Sequence, residues 1–278
     1  MPVHLTDDPA AVLAAAGGWL AARPREHNLL LTLLDARVAE PRPGRYGWAV
    51  DDAGRVAGVV FQSPLDFDAV VAAATPAAAA GLAEAVAGGW DPLPGLTGEA
   101  GAAAAFAGAY AAATGRPARP VEAQRLLGLT ALREPPAPGG AARLAVAGDV
   151  PRLAGFVDGF HADVGEGHRP SGDEDAAAVA AALVAAGRQW VWDDGGLRAM
   201  ASVSPPAAGV VRVSSVYTPP GDRRRGYGAA VTAAVSRAAL AAGTVPVLYT
   251  QLVNPTSNAV YRRLGYEPVL EALRYSCG

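Results

Sequence analysis

Residues 210–231, VVRVSSVYTPPGDRRRGYGAAV, read as strand, tight loop and helix in immediate succession. Val210 to Thr218 is β-branched and aromatic, Pro219, Pro220 and Gly221 interrupt it, and an alanine-rich segment of helical spacing opens at Gly226. The loop therefore meets a helix start. There the first backbone N–H groups lack intrahelical partners and the positive end of the macrodipole faces outward, which favours an anion. Gly226 and Gly228 carry no Cβ, so a phosphate can come close to the main chain, and Arg223, Arg224 and Arg225 set three positive charges beside it. The stretch predicts a pyrophosphate cradle over residues 223–229, with the backbone of Tyr227 and Ala229 forming part of it.

What is missing narrows the ligand. A Walker-type loop needs a lysine, and the chain contains none. The dinucleotide fingerprint needs a third glycine where Val231 stands, and Thr250 or Gln251 occupies the region of its ribose-binding acid. What remains, Arg223-x-x-Gly226-x-Gly228 after a strand ending Val-Tyr-Thr-Pro-Pro, resembles the acetyl-coenzyme A loop of the GCN5-related N-acetyltransferase (GNAT) superfamily.

A second motif carries the same resemblance. Residues 247–253 read as a strand, and Asn254 to Tyr266 as a capped helix with Asn254 at the N-cap, Pro255 at the first helical position and Gly265 at the C-cap. Asn254, Ser257 and Tyr261 follow at spacings of three and four, so they share one face. Tyr261 lies roughly 10 Å along the axis from Asn254 at about 1.5 Å per residue, and such a face can line a groove beside an extended ligand. The family shows an Asn, a Tyr seven residues later and a Gly-aromatic pair, which Asn254, Tyr261, Gly265 and Tyr266 match.

The resemblance implies direct attack of an acceptor amine on the thioester of acetyl-CoA, with no acyl-enzyme. The pantetheine arm is expected against main-chain groups of Val216, Tyr217 and Thr218, with the N–H of Val216 or a near neighbour polarising the carbonyl. Tyr261 is the expected general acid to the CoA thiolate, and Asn254 and Ser257 are expected to steady the arm. The plain alternatives are an aromatic that fills a helix face, a cap and a solvent-facing hydroxyl. No carboxylate stands on the strands flanking the thioester, which offer Arg212, Ser214, Tyr249 and Gln251. His161, Asp163, Glu166 and His168, in or near a Gly-rich loop with the composition of a lid, are candidates for the base, as is a water chain.

The whole chain sets bounds. Its 278 residues suit about two domains. The formal charge of −3 speaks against a nucleic-acid footprint. The single cysteine, Cys277, excludes an intrachain disulfide, and the four scattered histidines predict no metal site. No signal-like segment opens the sequence and no apolar run reaches about 18 residues, so a cytoplasmic protein with no membrane partner is the expectation.

Trp48, Asp51, Asp52, Gly54 and Ala57 recur at one constant offset as Trp190, Asp193, Asp194, Gly196 and Ala199, and Ser63-Pro64 returns as Ser204-Pro205 with a one-residue slip. Two copies of one fold are thus expected, although Asp-Asp-x-Gly turns also recur in unrelated hairpins. Residues 134–140, EPPAPGG, have interdomain composition. The predicted organisation is a degenerate GNAT-like domain over 1–134, a linker over 135–141 and a catalytic GNAT domain over 142–278. The fold class is α/β (α+β): two tandem acyl-CoA N-acyltransferase folds, each a mixed central sheet flanked by helices. In the first copy, Leu93 to Glu99 before the helix Ala100 to Ala113 is expected where the cradle should lie, without an arginine and with Glu99 of the wrong sign.

The sequence thus points to an acetyl-CoA-dependent N-acetyltransferase acting on a primary amine, small molecule or peptide, as a monomer or homodimer. A non-catalytic acyl-CoA sensor and an interaction module are the alternatives.

Overall fold

In the computed structural model, residues 1–164 and 175–278 are described. The first half runs β1 (Val3–Thr6), α1 (Pro9–Ala21), α2 (Asn28–Ala39), β2 (Arg45–Val50), β3 (Val56–Gln62), β4 (Ala69–Ala73), α3 (Pro76–Gly89), β5 (Gly95–Glu99), α4 (Ala100–Thr114) and β6 (Ala118–Leu129). The second runs β7 (Ala141–Leu144), α5 (Val150–Val164), α6 (Ala176–Ala185), β8 (Gln189–Asp193), β9 (Leu197–Val203), β10 (Val210–Tyr217), α7 (Tyr227–Ala241), β11 (Val245–Gln251), α8 (Pro255–Arg263) and β12 (Tyr266–Cys277). Short 3-10 turns aside, the succession of strands and helices is the same in both. The repeated Asp-Asp-x-Gly turns join β2 to β3 and β8 to β9, the same hairpin in each copy.

Contacts divide the chain into a first unit of residues 1–126, 250–253 and 268–278, and a second of residues 127–249 and 254–267. This differs from a cut at 135–141. The reason is strand pairing: β12 runs antiparallel to β5, from Ala272 opposite Glu99 to Ser276 opposite Gly95, so the end of β12 belongs to the first unit. Residues 135–141 lie inside the second unit, where the Trp192 indole donates to the Gly139 carbonyl at 2.7 Å.

In the first unit the sheet order is β1-β2-β3-β4-β5-β12, antiparallel except for β4 beside β5. Leu82 and Val86 of α3 and Phe106 and Tyr110 of α4 pack with Val60, Val71 and Leu96, and Cys277 is buried among them. Alanine fills much of both helices. Small side chains add little transfer energy each but let helix axes approach the sheet and one another closely.

In the second unit the order is β11-β10-β9-β8-β7, with β10 and β11 parallel and the other pairs antiparallel. Alternation along the strands supplies two cores. Trp192, Ala199 and Ala201 meet Tyr227, Ala230, Val231 and Val235 of α7, together with Tyr261, Leu264 and Tyr266. The intervening Val191 and Met200 meet Leu153, Phe156 and Val157 of α5 and Ala180 of α6. Leu127 and Leu129, at the end of β6, lie in the α7 core.

Gly265 ends α8 with φ +96°, and a Cβ there would stand 1.9 Å from the Ala131 carbonyl oxygen. Backbone cannot yield as a flexible side chain can. Gly265→Ala is therefore expected to cost about 3 kcal/mol from positive φ and steric conflict together. Thermal unfolding should show a fall in Tm on the order of 10 °C.

Candidate functional site

β10 decides the geometry of the second unit's polar end. It pairs in parallel with β11 only from Val210 to Arg212, opposite Val245 to Val247, although both strands continue beyond. On its other side the register with β9 slips between Ser214 and Tyr217, and Ser215 takes φ +50°. A bulge of this kind turns a strand, and pairing with β9 resumes at Tyr217, opposite Met200. The stretch Val213–Tyr217 thus lies outside the β11 ladder, and its main chain is placed to pair with an extended ligand. Val216 and Thr218 are half-buried, and Tyr217 is buried with its ring edge-on to Phe156 at 5.7 Å.

From there the chain enters the loop over residues 218–226, where the cradle predicted from the sequence begins. Pro220–Asp222 makes one 3-10 turn, Arg224 takes φ +63°, and Gly226 takes φ +90° as N-cap of α7. Alternating backbone hand of this sort gathers N–H groups into a concavity that suits an anion. The first intrahelical bond runs from the Ala230 N–H to the Gly226 carbonyl at 3.0 Å. The N–H groups of Tyr227, Gly228 and Ala229 precede it and have no carbonyl one turn back. No side chain caps this helix start, whereas Asp8, Thr75, Asp175 and Asn254 cap theirs. At Gly228 a Cβ would lie 3.2 Å from Thr218 Oγ1.

The three arginines are not equivalent. Arg223 donates from Nε to the Thr218 carbonyl at 2.9 Å and from its terminal nitrogen to Asp163. Arg225 lies 3.2 Å from Asp222, which is buried and also faces Arg198 at 3.5 Å. Arg224 is exposed and makes no hydrogen bond or ion pair among the described residues. Sequence alone did not disclose these pairings. Nor did it disclose that the Tyr227 hydroxyl donates to Asp194 at 2.5 Å, a bond that raises the phenol's pKa and ties the start of α7 to the β8–β9 turn. The recurring Asp-Asp-x-Gly pattern was the available signal, and it points to a repeated hairpin turn rather than to a partner for Tyr227.

On α8, the Asn254 carboxamide oxygen accepts the Ser257 N–H at 3.0 Å, so its capping role is realised. Ser257 is half-buried. Tyr261 is 8% exposed, edge-on to Tyr266 at 6.1 Å. Its hydroxyl has no hydrogen-bond partner among the described residues, and burial pushes its pKa up to about 12. By contrast the buried Tyr266 hydroxyl shares a 2.7 Å hydrogen bond with Ser236.

Among the candidates for the base, Asp163 is paired with Arg223, and the His161 ring lies 5.8 Å from that of Phe160. Glu166 and His168 lie outside the described residues. Arg212 and Tyr249 influence each other electrostatically. Desolvation pushes the guanidinium down and the phenol up, and the raised phenol does not readily become a phenolate base. Gln251 groups with the first unit, where it donates to Glu122 at 3.0 Å. Among the described residues no cluster of three metal-ligating side chains occurs, and no helix is long and apolar enough to cross a membrane.

The first copy is built differently at the corresponding place. The topology puts the counterpart of the cradle between β4 and α3, at residues 74–75, and not at Leu93–Glu99, which belongs to β5 and the strand's approach. Thr75 caps α3 by accepting the Ala78 N–H at 3.2 Å, so that helix start is already satisfied. β4 pairs with β3 without any register slip. The alanine-rich α3 carries too few large side chains to show helical periodicity, and this displaced the expected position by one element.

Residues 201–275 match the FR47-like protein family. A search of curated proteins found no match. A Drosophila protein of known structure superposes with TM-score 0.68 at 17% identity, covering 99% of this chain and 98% of that one. A GCN5-related N-acetyltransferase from Sphaerobacter thermophilus superposes with TM-score 0.64 at 16% identity, covering 98% and 94%. A tandem GNAT protein from the clavulanic acid biosynthesis pathway gives 0.58 at 15% identity, covering 99% and 98%. The chain shares the fold of these acetyltransferase structures, in two tandem copies.

Proposed function

We propose that the second copy transfers an acetyl group from acetyl-CoA to a primary amine by direct attack in a ternary complex. The observation that carries this reading is the continuity of a strand freed from its neighbour, Val213–Tyr217, with an uncapped, arginine-flanked helix start at residues 223–229. One binds an extended amide-bearing arm and the other a diphosphate. CoA joins those two parts in that order, and its thioester supplies an activated acetyl group.

The residues fit that ligand. Main-chain groups of Val216, Tyr217 and Thr218 hold the arm, and a free N–H near Val216 polarises the thioester carbonyl. The N–H groups of Tyr227, Gly228 and Ala229, with Arg224 and shares of Arg223 and Arg225, hold the diphosphate. Asn254 keeps its carboxamide NH2 for the arm while its oxygen caps α8, and Ser257 stands one turn on. As the amine nitrogen bonds to the carbonyl carbon and the carbon–sulfur bond breaks, Tyr261 gives its proton to the sulfur. The proton shed by the amine passes to water or to a side chain of the acceptor pocket.

The first copy lacks the bulge, the uncapped helix start and the arginines, and we assign it no acetyl transfer. The acceptor is a small-molecule or peptide amine. Isothermal titration with CoA and acetyl-CoA, followed by thiol-release assays over an amine panel, tests the proposal. Binding with turnover on at least one amine is expected. Binding without turnover on any amine would favour a sensor, and absence of binding an interaction module.

A further inference from the structure

Asp163 stands in the last turn of α5, where the helix dipole presents its negative end and a carboxylate is locally unfavourable. Departures from local rule mark places shaped by something other than folding. What offsets the cost is Arg223 of the cradle, whose terminal nitrogen donates to Asp163. The two side chains are 46% and 42% exposed, so a competing anion can reach both. Arg223 does not depend on this partner for its position. Its Nε is held by the Thr218 carbonyl at 2.9 Å, and its guanidinium lies 5.8 Å over the Tyr217 ring. That ring is fixed in turn against Phe156, with its hydroxyl over Gly159, where a Cβ would lie 2.2 Å away. Three consecutive turns of α5 thus bear on the strand end and the cradle loop: Phe156 and Gly159 on Tyr217, and Asp163 on Arg223.

We propose that Asp163 is an internal competitor for Arg223, a carboxylate that neutralises the cradle's first arginine until a diphosphate displaces it, and so lowers CoA affinity and speeds release. This rests on the acetyltransferase reading of the cradle. An exposed pair is weak, worth no more than about a fivefold change in an equilibrium, so the carboxylate is displaced without blocking the site. The same charge stays near the bound diphosphate and favours its departure, which puts the effect in the off-rate.

The experiment is titration of CoA into the full chain as wild type, Asp163→Asn, Asp163→Glu, Arg223→Gln and the Asp163→Asn, Arg223→Gln double variant. Asp163→Asn is expected to bind about threefold to fivefold more tightly, with slower dissociation, and the gain should shrink in 1 M salt. Asp163→Glu keeps the charge and should bind as the wild type does. In the Arg223→Gln background, Asp163→Asn should change Kd by less than about twofold, because the competitor has lost its object. Unchanged or weaker binding by Asp163→Asn overturns the proposal, as does a gain that persists without Arg223. Failure of the wild type itself to bind CoA overturns the cradle reading and this inference with it.

Discussion

Gly228→Asp is expected to abolish CoA binding, with a loss of more than about 100-fold in affinity by titration. Two effects act together. A Cβ at this position comes within 3.2 Å of Thr218 Oγ1, and the carboxylate beyond it settles at the N–H groups of Tyr227, Gly228 and Ala229, where it takes the place meant for the diphosphate. The fold should survive, since a carboxylate in the first turn of a helix is favourable in itself. Circular dichroism and Tm close to wild type would confirm that the loss is local. Gly228→Ala is the control: it adds the Cβ without the charge, and a side-chain hydroxyl can rotate away. Retained CoA affinity in Gly228→Asp would place the diphosphate elsewhere.

Tyr261→Phe removes one oxygen and little else. No described group depends on that hydroxyl, and the ring keeps its edge-on contact with Tyr266 at 6.1 Å. CoA affinity is therefore expected to be unchanged, while kcat falls roughly 100-fold through loss of the proton donor. With its pKa raised to about 12, the phenol remains protonated throughout the neutral range. Wild-type kcat should then show no decline from Tyr261 ionisation as pH rises from 7 to 9, and any limb seen there belongs to the amine or its base. A kcat in Tyr261→Phe equal to wild type would remove the residue from the chemistry and leave it as packing.

These tests reach residues that could be read in advance, for a physical reason. Helix starts, caps and glycine turns are local, so the strand before Pro219, the start of α7 near Gly226, the Asn254 cap and the turn at Gly265 show in a few neighbouring letters. Non-local partners do not. Nothing near Arg223 in sequence announces Asp163, sixty residues earlier, and nothing near Tyr227 announces Asp194. Composition hid other parts: α3 is largely alanine, and with little contrast between its faces it gave no period to read. The pairing of β12 with β5 depends on residues far apart in the chain, and a linker-like composition at 135–141 drew the division there.

That pairing has a consequence for how the molecule is made. During synthesis a first domain ordinarily closes while the second is still emerging. Here the edge of β5, at Gly95–Glu99, stays open until residues 272–276 have left the ribosome. The exposed strand edge is a hazard for the nascent chain, and the first copy is completed only by a strand that follows most of the second.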